Sequence, residues 1–174
     1  NWSELDYLIV DLPPGTGDIP LTLAQTIPIT GILVITTPQD VASNVAVKAV
    51  SMFEKLNVPI IGVIENMSHF ICPNCDEKHY IFGSGGAKKI SEQFKIPFLG
   101  EIPLNYGIMS GSDLGKPIMI TNVDSPSAAA FRASAKNVAA QCSIIASKLQ
   151  EEMESEASST EPSNDTSASE TVTT

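Results

Sequence analysis

The stretch Leu5–Asp18, LDYLIVDLPPGTGD, sets the reading of the whole chain. An unbroken apolar run from Leu8 to Val10 leads into a carboxylate, Asp11, and then into a loop with two prolines, two glycines and a second carboxylate, Asp18. Apolar runs without polar alternation are how strands covered on both faces read, so YLIVDL (7–12) is expected to be a core strand. GILVITT (31–37) and PIIGVIENM (59–67) share the pattern, and PFLGEIP (97–103) adds a further strand.

The segments between them read as helices. In DVASNVAVKAVSMFEKLN, residues Ala42, Val45, Ala46, Ala49, Val50, Phe53 and Leu56 recur at steps of three and four. Asn44, Lys48, Ser51 and Lys55 mark the opposite side, which predicts an amphipathic helix with Asp40 as its N-cap. Shorter helices are expected at about 19–26 and 87–94. A last one starts at Pro126, after Ser125, and runs to about Gln150 along Phe131, Ala135, Val138, Cys142, Ile145 and Leu149. Strands alternating with helices predict an α/β fold, a mostly parallel sheet with helices on both faces.

Composition narrows the function classes. The 174 residues carry a formal charge of -10, and residues 151–174 hold seven acids with no Lys or Arg, leaving -3 over residues 1–150. Residues 1–150 are therefore expected to form one domain. The acidic, Ser/Thr-rich segment 151–174 buries too little apolar surface to offset its ordering entropy and is expected to be disordered. Nothing reads as a membrane span, and no basic stripe points to nucleic acid. The chain enters an apolar segment within a few residues of Asn1, which leaves the expectation that an upstream portion is missing, with any targeting peptide in it.

In an open parallel sheet the ligand crevice lies beyond the carboxyl ends of the strands, where Asp11 falls. A carboxylate there can hold magnesium, usually through water, or serve as a helix cap or turn residue, and Gly15 and Gly17 let the backbone approach a phosphate.

Three cysteines make no disulfide framework, and Cys72 and Cys75 frame Pro73-Asn74 at the spacing with which two thiolates bind one metal centre from a tight turn. Zinc and a four-iron cluster both normally take four ligands, so the chain must borrow two, and two-fold pairing of identical subunits supplies them. The residues alone leave zinc and iron–sulfur open, with a redox dithiol behind them. His69 and His79 flank the pair and read as solvent-facing loop histidines rather than ligands; Cys142, on an apolar helical stripe, reads as a small buried hydrophobe. Gly83, Gly85 and Gly86 read as the turn into the helix near Ala87, with anion binding there the lesser alternative.

DYLIVDLPPGTGD, TTPQD (36–40), ENMS (65–68), CPNC (72–75), IFGSGGAKK (81–89) and GEIPL (100–104), in this order and spacing, resemble the Mrp family of iron–sulfur cluster carriers over about residues 5–149. These are P-loop ATPases of the SIMIBI type, related to MinD and the nitrogenase iron protein. The resemblance implies that Asp11 is the Walker B aspartate and Pro13–Asp18 the switch loop that senses the terminal phosphate. Asp11 and Asp18 are then the catalytic carboxylates, with Gly15 and Gly17 beside the nucleotide. Asn66 contacts adenine, and Pro103 and Leu104 pack near the base.

It further implies a 4Fe-4S cluster bridged by Cys72 and Cys75 across a homodimer or a paralogue heterodimer, coupled to ATP and Mg2+ and passed to apo iron–sulfur proteins. The implied compartment is the cytoplasm, with an organelle left open. The alternative is a zinc-bridged MinD- or ParA-like ATPase used for positioning or partition.

The chain departs from the family pattern in three places. It has no Gly-Lys-Ser/Thr loop to cradle phosphates: in GSGGAKK, Lys88 lacks both the preceding glycine and the following hydroxyl, and GKP (115–117) ends in proline. The family's P-loop lies upstream of Walker B, so the chain reads as the carboxyl-terminal part, not expected to hydrolyse ATP alone. Val45 and Ala49 stand where relatives commonly show an acidic residue and a glycine, and Asn105 where aspartate is usual.

Overall fold

The computed structural model describes residues 3–13 and 17–159. Its elements are α1 (Asp18–Thr26), β1 (Ile32–Thr36), α2 (Asp40–Lys55), β2 (Ile60–Ile71), β3 (Lys78–His79), α3 (Gly86–Phe94), β4 (Phe98–Leu104), α4 (Tyr106–Asp113), α5 (Ile118–Thr121) and α6 (Pro126–Ser159). β2 is the central strand, parallel to β1 on one side and to β4 on the other; β3 pairs antiparallel with the far end of β2.

Each sheet face carries its own apolar cluster. On one, Val34 and Val63 pack with Ala46 and Val50 of α2 and with Ala87 and Ile90 of α3. On the other, Ile61, Ile64, Leu99 and Ile102 meet Ile108 of α4 and Phe131, Val138, Cys142 and Ile145 of α6. The α/β architecture with helices on both faces is thus observed, and Cys142 packs at half burial among hydrophobes. Adjacent residues of β2 alternate between the faces, so Val63 and Glu65 point toward α3 while Ile64 points toward α6.

Four expectations need correction. Residues 7–12 form no strand, and Leu5 and Tyr7–Val10 are exposed, Ile9 at 88%. A parallel strand needs hydrogen-bonding neighbours as well as apolar side chains, and this segment has none among the described residues. Asp40 is the first residue of α2 rather than its cap; Gln39 occupies the cap position without a side-chain hydrogen bond. Ala49 and Leu56 reach only half burial, and Val45 is exposed, so the buried stripe of α2 is the narrower Ala46, Val50 and Phe53. Lastly, α6 continues through Ser159, so residues 151–159, expected to be disordered, are helical, and 160–174 lie outside the described residues.

The start of α6 does follow expectation: the Ser125 hydroxyl accepts the Ala128 N–H at 3.2 Å, with Pro126 where no N–H is required.

Candidate functional site

The cysteines sit at the tip of a hairpin. β2 runs twelve residues, and its last two pair with β3 as Phe70 with His79 and Ile71 with Lys78. Beyond them the chain turns through Cys72-Pro73-Asn74-Cys75, closed by Asp76 N–H to the Cys72 carbonyl at 2.9 Å and by Cys72 N–H to the Glu77 carbonyl at 3.0 Å. Asp76 takes a left-handed conformation, φ 56°, to complete the turn. Cys72 is half-buried, and Cys75 is exposed.

This turn favours a thiolate. The N–H groups of Asn74 and Cys75 hydrogen-bond the Cys72 sulfur, the Cys75 thiol adds to them, and the Cys72 pKa is lowered from its ordinary 9.0. A deprotonated sulfur is the form that binds soft metals. Among the described residues no group of three or more His, Cys, Asp or Glu is arranged to hold a metal ion, so one chain offers this centre two sulfurs.

His79 is exposed on β3. His69, expected to face solvent, is instead buried, 6% exposed. The reason is a bulge in β2: Asn66 pairs with Ile102 and Phe70 with Leu104, so four steps along β2 match two along β4. Met67, at φ 53°, loops outward, and Ser68 and His69 both turn inward. The His69 Nδ1 lies 2.9 Å from the Ser68 hydroxyl, which itself donates to the Ile102 carbonyl at 3.2 Å, and 3.7 Å from Glu101. Burial lowers the His69 pKa below 6.5 and Lys78 adds to this, against the opposing pull of Glu101 and Glu65.

Glu65 carried no role in the sequence reading, yet it is 2% exposed and its carboxylate accepts the Ala87 N–H at 2.9 Å and the Gly85 N–H at 3.4 Å. The amino end of α3 is thereby occupied by an internal anion, which removes the anion-binding alternative for the Gly83–Gly86 turn. Gly83 and Gly85 serve the turn with φ of 86° and 76°, as expected. A lone carboxylate inside an otherwise apolar run is the signal that could have pointed to Glu65.

Asn66, Pro103 and Leu104, expected near the adenine base, lie on the paired strands β2 and β4. Asn66, in the middle of β2, is paired with Ile102 of β4, the residue before Pro103 and Leu104 at the carboxyl end of that parallel strand. The Asn66 side-chain Oδ1 accepts the Met67 N–H at 2.9 Å, which fixes the amide and leaves its NH2 as the donor end. Among the described residues the phosphate side is not assembled. Asp11 is exposed and outside regular structure, Gly17 precedes α1, Asp18 opens it in an exposed position, and Gly15 lies outside the described residues. Among the described residues no phosphate cradle accompanies Asp11, so the residues present do not fit magnesium and phosphate, and no hydrolytic step follows from them. Asn105, where aspartate is usual, caps α4 by accepting the Gly107 N–H at 2.7 Å, a role either side chain fills.

A family model described as ParA, the NUBPL iron-transfer P-loop NTPase, matches residues 1–139. The chain belongs to this family. It is 48% identical over 145 residues to the iron–sulfur cluster transfer protein NUBPL of Dictyostelium discoideum, covering 83% of the chain and 45% of that relative. It is 50% identical over 140 residues to the iron–sulfur cluster carrier protein of Escherichia coli K12, covering 80% of the chain and 38% of that relative. A solved nucleotide-binding protein of Archaeoglobus fulgidus, in complex with ADP, superposes with a TM-score of 0.61 at 42% identity, covering 72% of the chain and 50% of that structure. The chain therefore spans less than half the length of these two curated relatives. The P-loop NTPase fold class and the resemblance read from the motifs both stand.

Proposed function

We propose that this chain is the cluster-binding part of an iron–sulfur cluster carrier, in which Cys72 and Cys75 hold a 4Fe-4S cluster as cargo and pass it to apo iron–sulfur proteins. The observation that carries the reading is the hairpin tip: two thiols in one turn, one of them favoured as thiolate, with no third protein ligand beside them among the described residues. A centre that wants four sulfurs obtains the other two from a second copy, or a paralogue, presenting the same turn. Relatives named as cluster carrier and transfer proteins support iron over zinc.

ATP enters through Asn66, Pro103 and Leu104 on the base side, in a protein that also carries a Gly-Lys-Ser/Thr loop. There Asp11, Gly15, Gly17 and Asp18 complete the phosphate side, with Asp11 organising magnesium water, and hydrolysis belongs to that protein. Asn66 lies on β2 and Cys72 directly follows its last residue, so the two are at most about 20 Å apart at the rise of a β-strand, a short path between nucleotide and cluster. The proposed setting is the cytoplasm, with an organelle as the alternative; separately, no helix among the described residues is long and apolar enough to cross a membrane.

Anaerobic reconstitution with ferrous iron and sulfide tests the reading. The expected product is a dimer holding about four irons, lost on substitution of Cys72 or Cys75 by serine. Uptake of zinc alone, with iron content indifferent to both substitutions, overturns it in favour of the zinc-bridged ATPase.

A further inference from the structure

The cysteine hairpin has little of its own to hold it. β3 contributes two ladder residues, and Pro73–Tyr80 are all exposed. An isolated two-stranded hairpin is marginal at best in water, so the orientation of Cys72 and Cys75 depends on how the hairpin root is fastened to the sheet.

His69 is at that root. It stands one position before Phe70, and Tyr80 one position after His79, so the two are the next cross-strand neighbours below the ladder. Their rings lie 6.1 Å apart, tilted by 56°. On its other side the His69 ring meets β4 and, through it, α3: Nδ1 is 3.7 Å from Glu101, whose other carboxylate oxygen accepts from the Lys88 ammonium at 2.8 Å. With the Ser68 hydroxyl donating to the Ile102 carbonyl, the hydroxyl oxygen and the Glu101 carboxylate are both acceptors near Nδ1, and the tautomer with its proton on Nδ1 is the one that satisfies them together. His69 thus joins β2, β4 and the strand returning from the cysteines.

We propose that His69 is a positioning residue for the cysteine pair: clamped between Glu101 and Tyr80, it locks the hairpin root and so fixes the geometry in which the two thiolates meet their cargo. It acts through the hairpin and ligates nothing. The role rests on the cluster-carrying reading of Cys72 and Cys75 and adds to it the residue that sets how firmly the cargo is held. Lys88 continues to balance Glu101 when the imidazole is removed, so the loss falls on the hairpin.

The test compares the full chain with His69→Leu, which keeps bulk and removes the Nδ1–H, and with His69→Asn, whose amide restores a donor at the Nδ1 position. Two readouts are taken: the rate at which a chelator strips the anaerobically reconstituted cluster, and the iodoacetamide alkylation rate of Cys72 in the metal-free chain. His69→Leu is expected to release the cluster about tenfold faster, the low end of what loss of a supporting partner costs a metal site, and to change the alkylation rate severalfold at an unchanged far-UV spectrum. His69→Asn is expected to recover most of the retention.

Tyr80→Ala, at an exposed position, removes the ring contact alone and decides the matter if His69→Leu does not fold; faster release is again expected. Parent-like rates in the folded variants overturn the proposal. A parent chain that takes up no iron overturns the carrier reading instead, and the alkylation rates of the metal-free proteins then judge the clamp by themselves.

Discussion

Glu65 and Glu101 stand directly opposite each other on β2 and β4, two carboxylates on one face of a parallel sheet. Like charges so placed repel, and both are balanced from the same helix. Glu65 takes the N–H groups at the amino end of α3, and Glu101 takes the ammonium of Lys88 in the same first turn, which also lies 5.3 Å from the Phe98 ring. α3 is therefore fastened to the sheet by polar contacts at its start and by Ala87 and Ile90 along its length.

Glu65→Ala strips the cap from α3, leaves the Ala87 N–H unpaired beneath the sheet and opens a void. A loss of about 2–3 kcal/mol is expected in urea unfolding. Glu65→Gln keeps an acceptor and removes the repulsion with Glu101, so its cost is expected to stay below about 1 kcal/mol. Equal losses for the two variants contradict the capping role.

Gly62 sits at the irregularity where β1 and β2 shift register, at φ 151°; a Cβ there meets the Pro97 carbonyl at 2.5 Å and the Leu99 side chain at 2.7 Å. Gly62→Ala thus combines backbone strain with a clash against main chain, and a cost of at least about 3 kcal/mol is expected. Gly115, at φ 64°, has nothing within 4 Å of such a Cβ, so Gly115→Ala bears the strain alone, about 1–2 kcal/mol. Chemical unfolding of both variants checks the difference.

Burial, with Lys78, holds the His69 pKa below its ordinary 6.5. The unfolded chain therefore binds the proton first as pH falls, and stability rises with pH wherever the unfolded state holds more protons. The advantage of the neutral, buried imidazole is complete above pH 6.5 and declines below it, toward the folded-state pKa. The difference in unfolding free energy between the parent and His69→Asn is expected to shift in favour of the variant from pH 7 to pH 5.5. A pH-independent difference rules out the buried neutral ring as its source.

The hydrogen bonds of Asn74 and Cys75 to the Cys72 sulfur lower the Cys72 pKa, with the Cys75 thiol contributing. The midpoint for Cys72 alkylation against pH, followed by peptide mass spectrometry, is expected below the ordinary 9.0, and Cys75→Ala is expected to raise it. An unmoved midpoint in that variant removes Cys75 from the effect.

Much of the fold was legible in residue order. The apolar runs at 31–37, 59–67 and 97–103 and the stripe containing Ala46, Val50 and Phe53 report side-chain burial, a property that alternation and periodicity encode locally. The CPNC turn was equally visible, because two thiols at that spacing need little beyond a turn. Pairing is not local. Residues 7–12 have the composition of a core strand and none of its neighbours, so no reading of their side chains alone shows that they remain outside the sheet.

By itself, then, the amino-acid order determined the layered α/β architecture, the cysteine turn and the family, since each depends on short-range pattern and chemical type. The tertiary structure alone decided that His69 is buried, that Glu65 closes the end of α3, and that Asn66 lies opposite Ile102, beside Pro103 and Leu104 in the chain. Each of these follows from the register of β2 against β4, and one bulge at Met67, set by how two strands more than thirty residues apart in the chain come to lie side by side, reassigns which side chains face inward.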